Sequence, residues 1–249
     1  MTRHILQDRS EAEVLWYQRR DFLKAAAAWT SMGGYAAAQA QQRSNIVQLT
    51  GDALVNGKRL DAQQSIQTGD RVVTGPGSNV IFVVGNSSFQ LRQNSDLTVE
   101  RGASLFAVSV LRLLTGAVVS AFGKGSNRQI VTPTMTAGIR GTGVYTEVPA
   151  NQGGRSYFCN CYGTVDLAAS GGDKTTSQTM YHQSFWSEVE PKNGRTLTPA
   201  KAINHTDEEL EYLAALIGDR TGWQVMGRKG IKDGRGYMDE PKPGYSGFN

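Results

Sequence analysis

Between Ile46 and Leu167 the chain is written as short Val-, Ile- and Thr-rich runs separated by glycine-bearing turns. Such a pattern restricts it to short strands joined by tight turns, since each apolar run is brief and ends on a helix-breaking residue. "ALVNGKRL" sets Asn56-Gly57 between two apolar runs, and a two-residue hairpin turn needs positive φ at both central positions. "SIQTGDRVVTGPGSNVIFVV" follows, with turns at Gly69-Asp70 and Gly75-Pro76-Gly77. Val80 to Val84 is continuously apolar, as in a strand buried on both faces. "SLFAVSVLRLL" fits helix or strand by periodicity, and its Val/Phe content and flanking glycines favour strand. "GAVVSAF", "RQIVT" and "TGVYTEV" continue the pattern, and "RSYFCNCYGTVDLAA" reads as two further strands around Tyr162-Gly163. The expected fold is all-β: a short-stranded sandwich or short β-solenoid-like module over residues 46–168, followed by one C-terminal helix.

That helix is marked at both ends. In "HTDEELEYLAALIG" Thr206 is the N-cap and Glu209 completes a capping box, while Asp207 and Glu208 suit the positive end of the dipole. Leu210, Leu213, Ala214 and Ile217 share one face, and Gly218 is the stop. Residues 169–218 are thus an extension ending in this helix. Residues 219–249, rich in Gly, Pro, Lys and Asp, read as a disordered tail.

The first 40 residues have a different character. Arg19-Arg20 in "RRDFLK" precede a weakly apolar Ala/Gly stretch and then Ala38-Gln39-Ala40. These are the parts of a twin-arginine signal peptide, with Gln18 standing where Ser or Thr is usual. The expectation is a mature protein starting near Gln41 and working in the periplasm or outside the cell. No run is long and apolar enough to span a bilayer. A net charge of +4, without a dense basic block or a basic-aromatic stripe, gives no support to nucleic-acid binding.

The stretch from Thr50 to Val148 resembles the FecR domain, a periplasmic all-β module. The resemblance is carried by "GDALVNGKRL", "IQTGDRVVTGPGSNVIFVV", "SDLTVE" and "LTGAVVSAF", and above all by "VTPTMTAGIRGTGVYTEV" with Thr132-Pro133, Gly138 and Arg140-Gly141-Thr142. One departure is Gly85-Asn86-Ser87, where the family usually has Asp-Gly-Ser. In its best-known members the module follows a membrane helix and a sigma-regulating segment. Neither is read in this sequence, so the resemblance implies a binding or sensing module of the envelope in a soluble setting. Arg140 reads either as a brace for the β module or as a ligand-binding group. No nucleophile–base pair accompanies it.

Beyond the module, "CxCYGTVDL", a "YH" and "NHTDEEL" occur in the order in which they recur after FecR modules in a set of exported bacterial proteins. Cys159 and Cys161 are the 2 cysteines of the chain, and His182 and His205 are the histidines outside the leader. In a strand the two cysteines point to one face, about 7 Å apart at the backbone. With His182 and His205 they make a Cys₂His₂ set suited to Zn²⁺ or a copper ion, though not at a zinc-finger spacing. Two other readings stay open: a strained, reducible disulfide, or two small buried apolar residues with unrelated histidines.

The sequence therefore points to an exported, non-enzymatic binding or sensing protein whose partner is an envelope protein or a metal ion. The competing class is a small periplasmic metallo- or redox enzyme using the Cys-x-Cys pair.

Overall fold

The computed structural model describes residues 44–104, 107–125 and 127–230. The expected signal peptide lies outside the described residues. Fourteen strands form one largely antiparallel sheet: β1 (Ile46–Thr50), β2 (Ala53–Val55), β3 (Lys58–Arg59), β4 (Arg71–Thr74), β5 (Asn79–Val84), β6 (Ser87–Leu91), β7 (Asp96–Arg101), β8 (Val108–Phe122), β9 (Arg128–Val131), β10 (Met135–Val148), β11 (Ser156–Ala169), β12 (Lys174–Thr179), β13 (Gln183–Lys192) and β14 (Arg195–Ala200). Two helices follow, α1 (Asp207–Leu216) and α2 (Gly222–Met226). The all-β expectation holds, as one large sheet rather than a solenoid. Among the described residues, no helix is long and apolar enough to cross a membrane.

Alternation along the strands sorts the apolar residues onto two faces. Val118 and Phe122 of β8 join a large cluster with Phe82, Phe89, Leu97, Leu111, Val144 and Phe158. Val119 and Ala121 point the other way and meet Tyr145, Tyr157, Cys159, Cys161 and Leu210 and Leu213 of α1. Helix α1 thus covers the second face of the sheet. The Thr206–Glu209 capping box is present as expected, and Ser88 of β6 donates its hydroxyl to the Leu213 carbonyl at 2.6 Å. Asn56 and Gly57 occupy positive φ at the β2–β3 turn, as the Asn-Gly reading requires.

Two readings need correction. The segment around Tyr162-Gly163 is not a turn between two strands: β11 runs unbroken from Ser156 to Ala169. Gly163 meets its need for positive φ (+99°) inside the strand, where a Cβ would lie 2.6 Å from Cβ of Thr142. The stretch read as tail also begins with order. Helix α2 has its own capping box, with Thr221 as N-cap and Gln224 reaching back, and Gly227 in the left-handed region closes it. Trp223 supplies the anchor that a glycine- and charge-rich composition concealed, being 3% exposed. Residues 231–249 lie outside the described residues.

Candidate metal centre

The structure brings all four sequence-predicted ligands together. One ligand atom from each of Cys159, Cys161, His182 and His205 lies within 4.8 Å of every other, and all four residues are buried. They arrive on three separated segments: strand β11, the connection from β12 to β13, and the loop from β14 to α1.

The cysteines are set by a β-bulge. Gly143 of β10 pairs with Tyr162 and Val144 pairs with Asn160, so Cys161 is the extra residue on β11. A bulge re-aims the side chains beside it, and here the two sulfurs end 3.7 Å apart as free thiols. Gly143 makes the bulge possible from the facing strand, because a Cβ there would meet the Tyr162 ring at 2.2 Å. The "GIRGTG" stretch therefore shapes the backbone immediately beside the cysteines. Arg140 does not reach the centre: it pairs with Asp166 on the surface at 2.5 Å, its side chain two-thirds exposed.

His182 follows Tyr181 in the tight connection, where its backbone N–H bonds the Cys161 carbonyl at 2.9 Å. Its φ of +33° is uncommon for a residue other than glycine, though histidine adopts it more readily than most. Trp223 stacks on its ring, with centroids 5.3 Å apart. His205 stacks on Tyr145 at 4.8 Å. Its loop is pinned by Tyr157, whose hydroxyl donates to the Lys201 carbonyl at 2.9 Å and accepts from the Ile203 N–H at 3.1 Å.

The outer hydrogen bonds decide which ring nitrogens face inward. Nε2 of His182 lies 2.9 Å from Oδ1 of Asp207, and Nδ1 of His205 lies 2.6 Å from the Ile203 carbonyl. Carboxylate and carbonyl oxygens only accept, so each ring places its proton outward. Nδ1 of His182 and Nε2 of His205 then face one another as bare lone pairs at 3.0 Å, with Cys159 Sγ 3.4 Å from His182 Nδ1. Such a contact is repulsive unless a proton or a metal ion lies between the nitrogens.

Three of the six separations between the ligand atoms are close to those around one ion. Tetrahedral zinc bonds imply S···S, S···N and N···N edges of about 3.8, 3.6 and 3.4 Å, against 3.7, 3.4 and 3.0 Å here. Burial pushes the Cys159 thiol up, but the hydrogen bond from Cys161 and the positive charge of the His205 and His182 rings when a proton lies between them outweigh it. The thiol is held well below its ordinary value, which favours the thiolate that binds metals.

Sequence reading missed several members of the site. In the sequence Asp207 reads as a helix-dipole acid, yet its carboxylate turns to His182, Tyr181 and Lys229. Trp223 and Lys229 lay in the stretch read as tail. The capping box Thr221-x-x-Gln224, the Gly227 stop and the aromatic inside "TGWQVMG" are the signals of a packed element there.

No family model and no curated protein matches this chain. Two crystal structures of a candidate anti-sigma factor from Parabacteroides distasonis are similar to it in part. They superpose with TM-scores of 0.42 and 0.43 at 8% and 9% identity, over 52% and 54% of this chain. The match covers 58% and 60% of the other chains, so this protein spans about three fifths of their length. The likeness is too loose to bear on function.

Proposed function

We propose that this chain is an exported FecR-type binding or sensing protein of the bacterial envelope, non-enzymatic, with a metal ion held by Cys159, Cys161, His182 and His205. The observation that carries the metal reading is the convergence of four buried ligand atoms with both imidazoles turning a bare nitrogen inward. Zn²⁺ is the first candidate, because two thiolates and two imidazoles form a complete tetrahedral set and balance a divalent charge. Copper is the second, as a soft ion favoured by thiolates.

Four protein ligands leave no open position, the mark of a structural site rather than a catalytic one. The ion would join β11, the β12–β13 connection and the loop leading into α1, fastening the helical cap to the sheet. The envelope setting is supported by the twin-arginine and A-x-A features and by the FecR-like motifs of residues 50–148.

Metal analysis of protein exported natively tests this reading, with a Cys159→Ser/Cys161→Ser variant as control. About one equivalent of zinc or copper in the wild type and none in the control is expected. Equal, background metal in both would overturn it.

A second reading has one observation behind it. Cys159, His182 and Asp207 are connected as a nucleophile, base and orienting acid are in thiol enzymes. Both sulfurs are fully buried, which opposes it. Rapid alkylation of Cys159 in the folded, metal-free protein would revive it.

A further inference from the structure

Asp207 has a place in the centre that its position on α1 does not require. The N-terminus of α1 is already capped by the reciprocal Thr206–Glu209 pair, with Glu209 Oε2 accepting from the Thr206 N–H at 2.7 Å. Asp207 instead sends its carboxylate away from the helix axis to His182, and the residue is fully buried. Its second oxygen accepts from the Tyr181 hydroxyl at 2.8 Å and from Lys229 Nζ at 2.5 Å. A carboxylate held by three donors from two segments has little freedom to turn.

We propose that Asp207 is the positioning residue of the metal centre, acting through His182 and held in turn by Tyr181 and Lys229; the proposal rests on the metal reading above. His182 can offer an ion either nitrogen, and the difference lies in where its proton sits. Bonding Nε2–H to Asp207 leaves Nδ1 as the donor atom and fixes the ring plane. It also makes that nitrogen more basic and so a stronger ligand. Lys229 matters because two thiolates lie close by. Its ammonium offsets the carboxylate charge, so Asp207 adds no net negative charge to the buried cluster. His205 needs no such acid, because the Ile203 carbonyl accepts from its Nδ1–H. The two histidines are thus oriented by different means, and only one of them through a side chain that substitution can change.

The test is metal titration of the full-length folded protein with Co²⁺ and Zn²⁺. Co²⁺ serves as a spectroscopic reporter of coordination geometry. Asp207→Ala is expected to weaken binding by about 10–100-fold and to alter the Co²⁺ spectrum, since the His182 ring is free to turn. Asp207→Asn keeps an acceptor for Nε2–H, so it should retain the wild-type spectrum and recover part of the affinity. Should Asp207→Ala not fold, Asp207→Asn and Tyr181→Phe carry the test, each expected to weaken binding relative to the wild type. Asp52→Ala, which removes an exposed acid paired with Arg59, should change neither readout. A purely structural role would lower the thermal stability of the Asp207 variants and leave affinity and spectrum of the folded protein unchanged. That result overturns the positioning role alone. A wild type that takes up neither of these ions, nor copper, overturns it together with the metal reading.

Discussion

His182 Nδ1 and His205 Nε2 lie 3.0 Å apart, and each ring commits its other nitrogen to an acceptor outside the centre. The two inward lone pairs repel without a metal ion, and an ion held as proposed would bind both. Metal should therefore appear as stability. At free Zn²⁺ about 100 times the dissociation constant, linkage contributes about 2.7 kcal/mol, or roughly 5–10 °C in Tm for a domain of this size. A strong chelator should remove that increment from the wild type. His205→Phe, which keeps a ring against Tyr145 and removes the ligand, should melt at one temperature with or without chelator. Calorimetry on the pair checks this, and a chelator-insensitive wild type would contradict it.

Gly143 ties the glycine-rich stretch of β10 to the bulge that aims Cys161. A Cβ at this position would lie 2.2 Å from the Tyr162 ring and 2.9 Å from Leu210 Cδ1. Gly143→Ala should cost about 1–3 kcal/mol, the usual cost of overpacking. Combined with Tyr162→Ala it should cost less than the sum of the two single changes, because the closer clash disappears with the ring. Chemical denaturation of the four proteins measures the coupling, and strict additivity would remove the packing explanation.

Arg92 and Glu209 form a buried ion pair between the end of the β6 hairpin and the first turn of α1, their side chains 7% and 0% exposed. The Arg92 guanidinium also lies over the Tyr145 ring, 5.6 Å from its centroid, on the residue that stacks with His205. Removing one partner strands a buried charge, so Arg92→Met should destabilise by about 3–5 kcal/mol. Arg92→Met/Glu209→Met should recover much of that loss, though the cap lost from Thr206 remains. Urea midpoints decide, and a double variant worse than both singles would argue against a stranded charge.

The glycine and Asn-Gly punctuation made the strands legible, because those residues act within the few positions around them. The capping boxes of α1 and α2 are equally local, and the first was read from Thr206 and Glu209 alone. The Cys₂His₂ set was legible as residue types, since two cysteines and two histidines are conspicuous where both are scarce. Their convergence was not. It depends on the bulge at Cys161, on the left-handed backbone of His182, and on α1 docking over the second face of the sheet. Each of these follows from contacts between distant segments. Asp207 was misread for the same reason: at N1 of a helix an acid already has a local explanation, and its turn toward His182 exists only after folding.

Asp173, in the turn after β11, illustrates how acid should loosen the sheet edge. Its carboxylate accepts from the backbone N–H of Leu197 and Thr196 and from the Thr196 hydroxyl, and these bonds hold it below the ordinary carboxylate range. The folded value is the depressed one, so its contribution is fully present above the unfolded value of about 3.9. It is lost as pH falls through the folded value. Asp173→Asn should therefore lower Tm at pH 7, and the gap to wild type should close in strong acid. Melting curves taken from pH 7 to pH 2 test this, and a gap that widens with acid would reverse the assignment.

The helical cap should respond to metal removal before the sheet does. His205 sits one residue before the N-cap of α1, and Trp223 of α2 packs on His182, Tyr162 and Tyr181. Both helices thus rest on ligands that the ion would hold in place, whereas β5 to β8 close their own ladder through β5–β6, β6–β8 and β7–β8. Local opening draws on the elements whose contacts are fewest once a staple is removed. Chelation should strip hydrogen-exchange protection from residues 203–226 while amides in residues 79–122 stay protected. Restoring zinc should return it, and Cys159→Ser/Cys161→Ser should resemble the chelated wild type without added chelator. Equal loss of protection in both regions would mean that sheet and cap unfold as one unit, and that the centre stabilises the whole protein instead of fastening the cap.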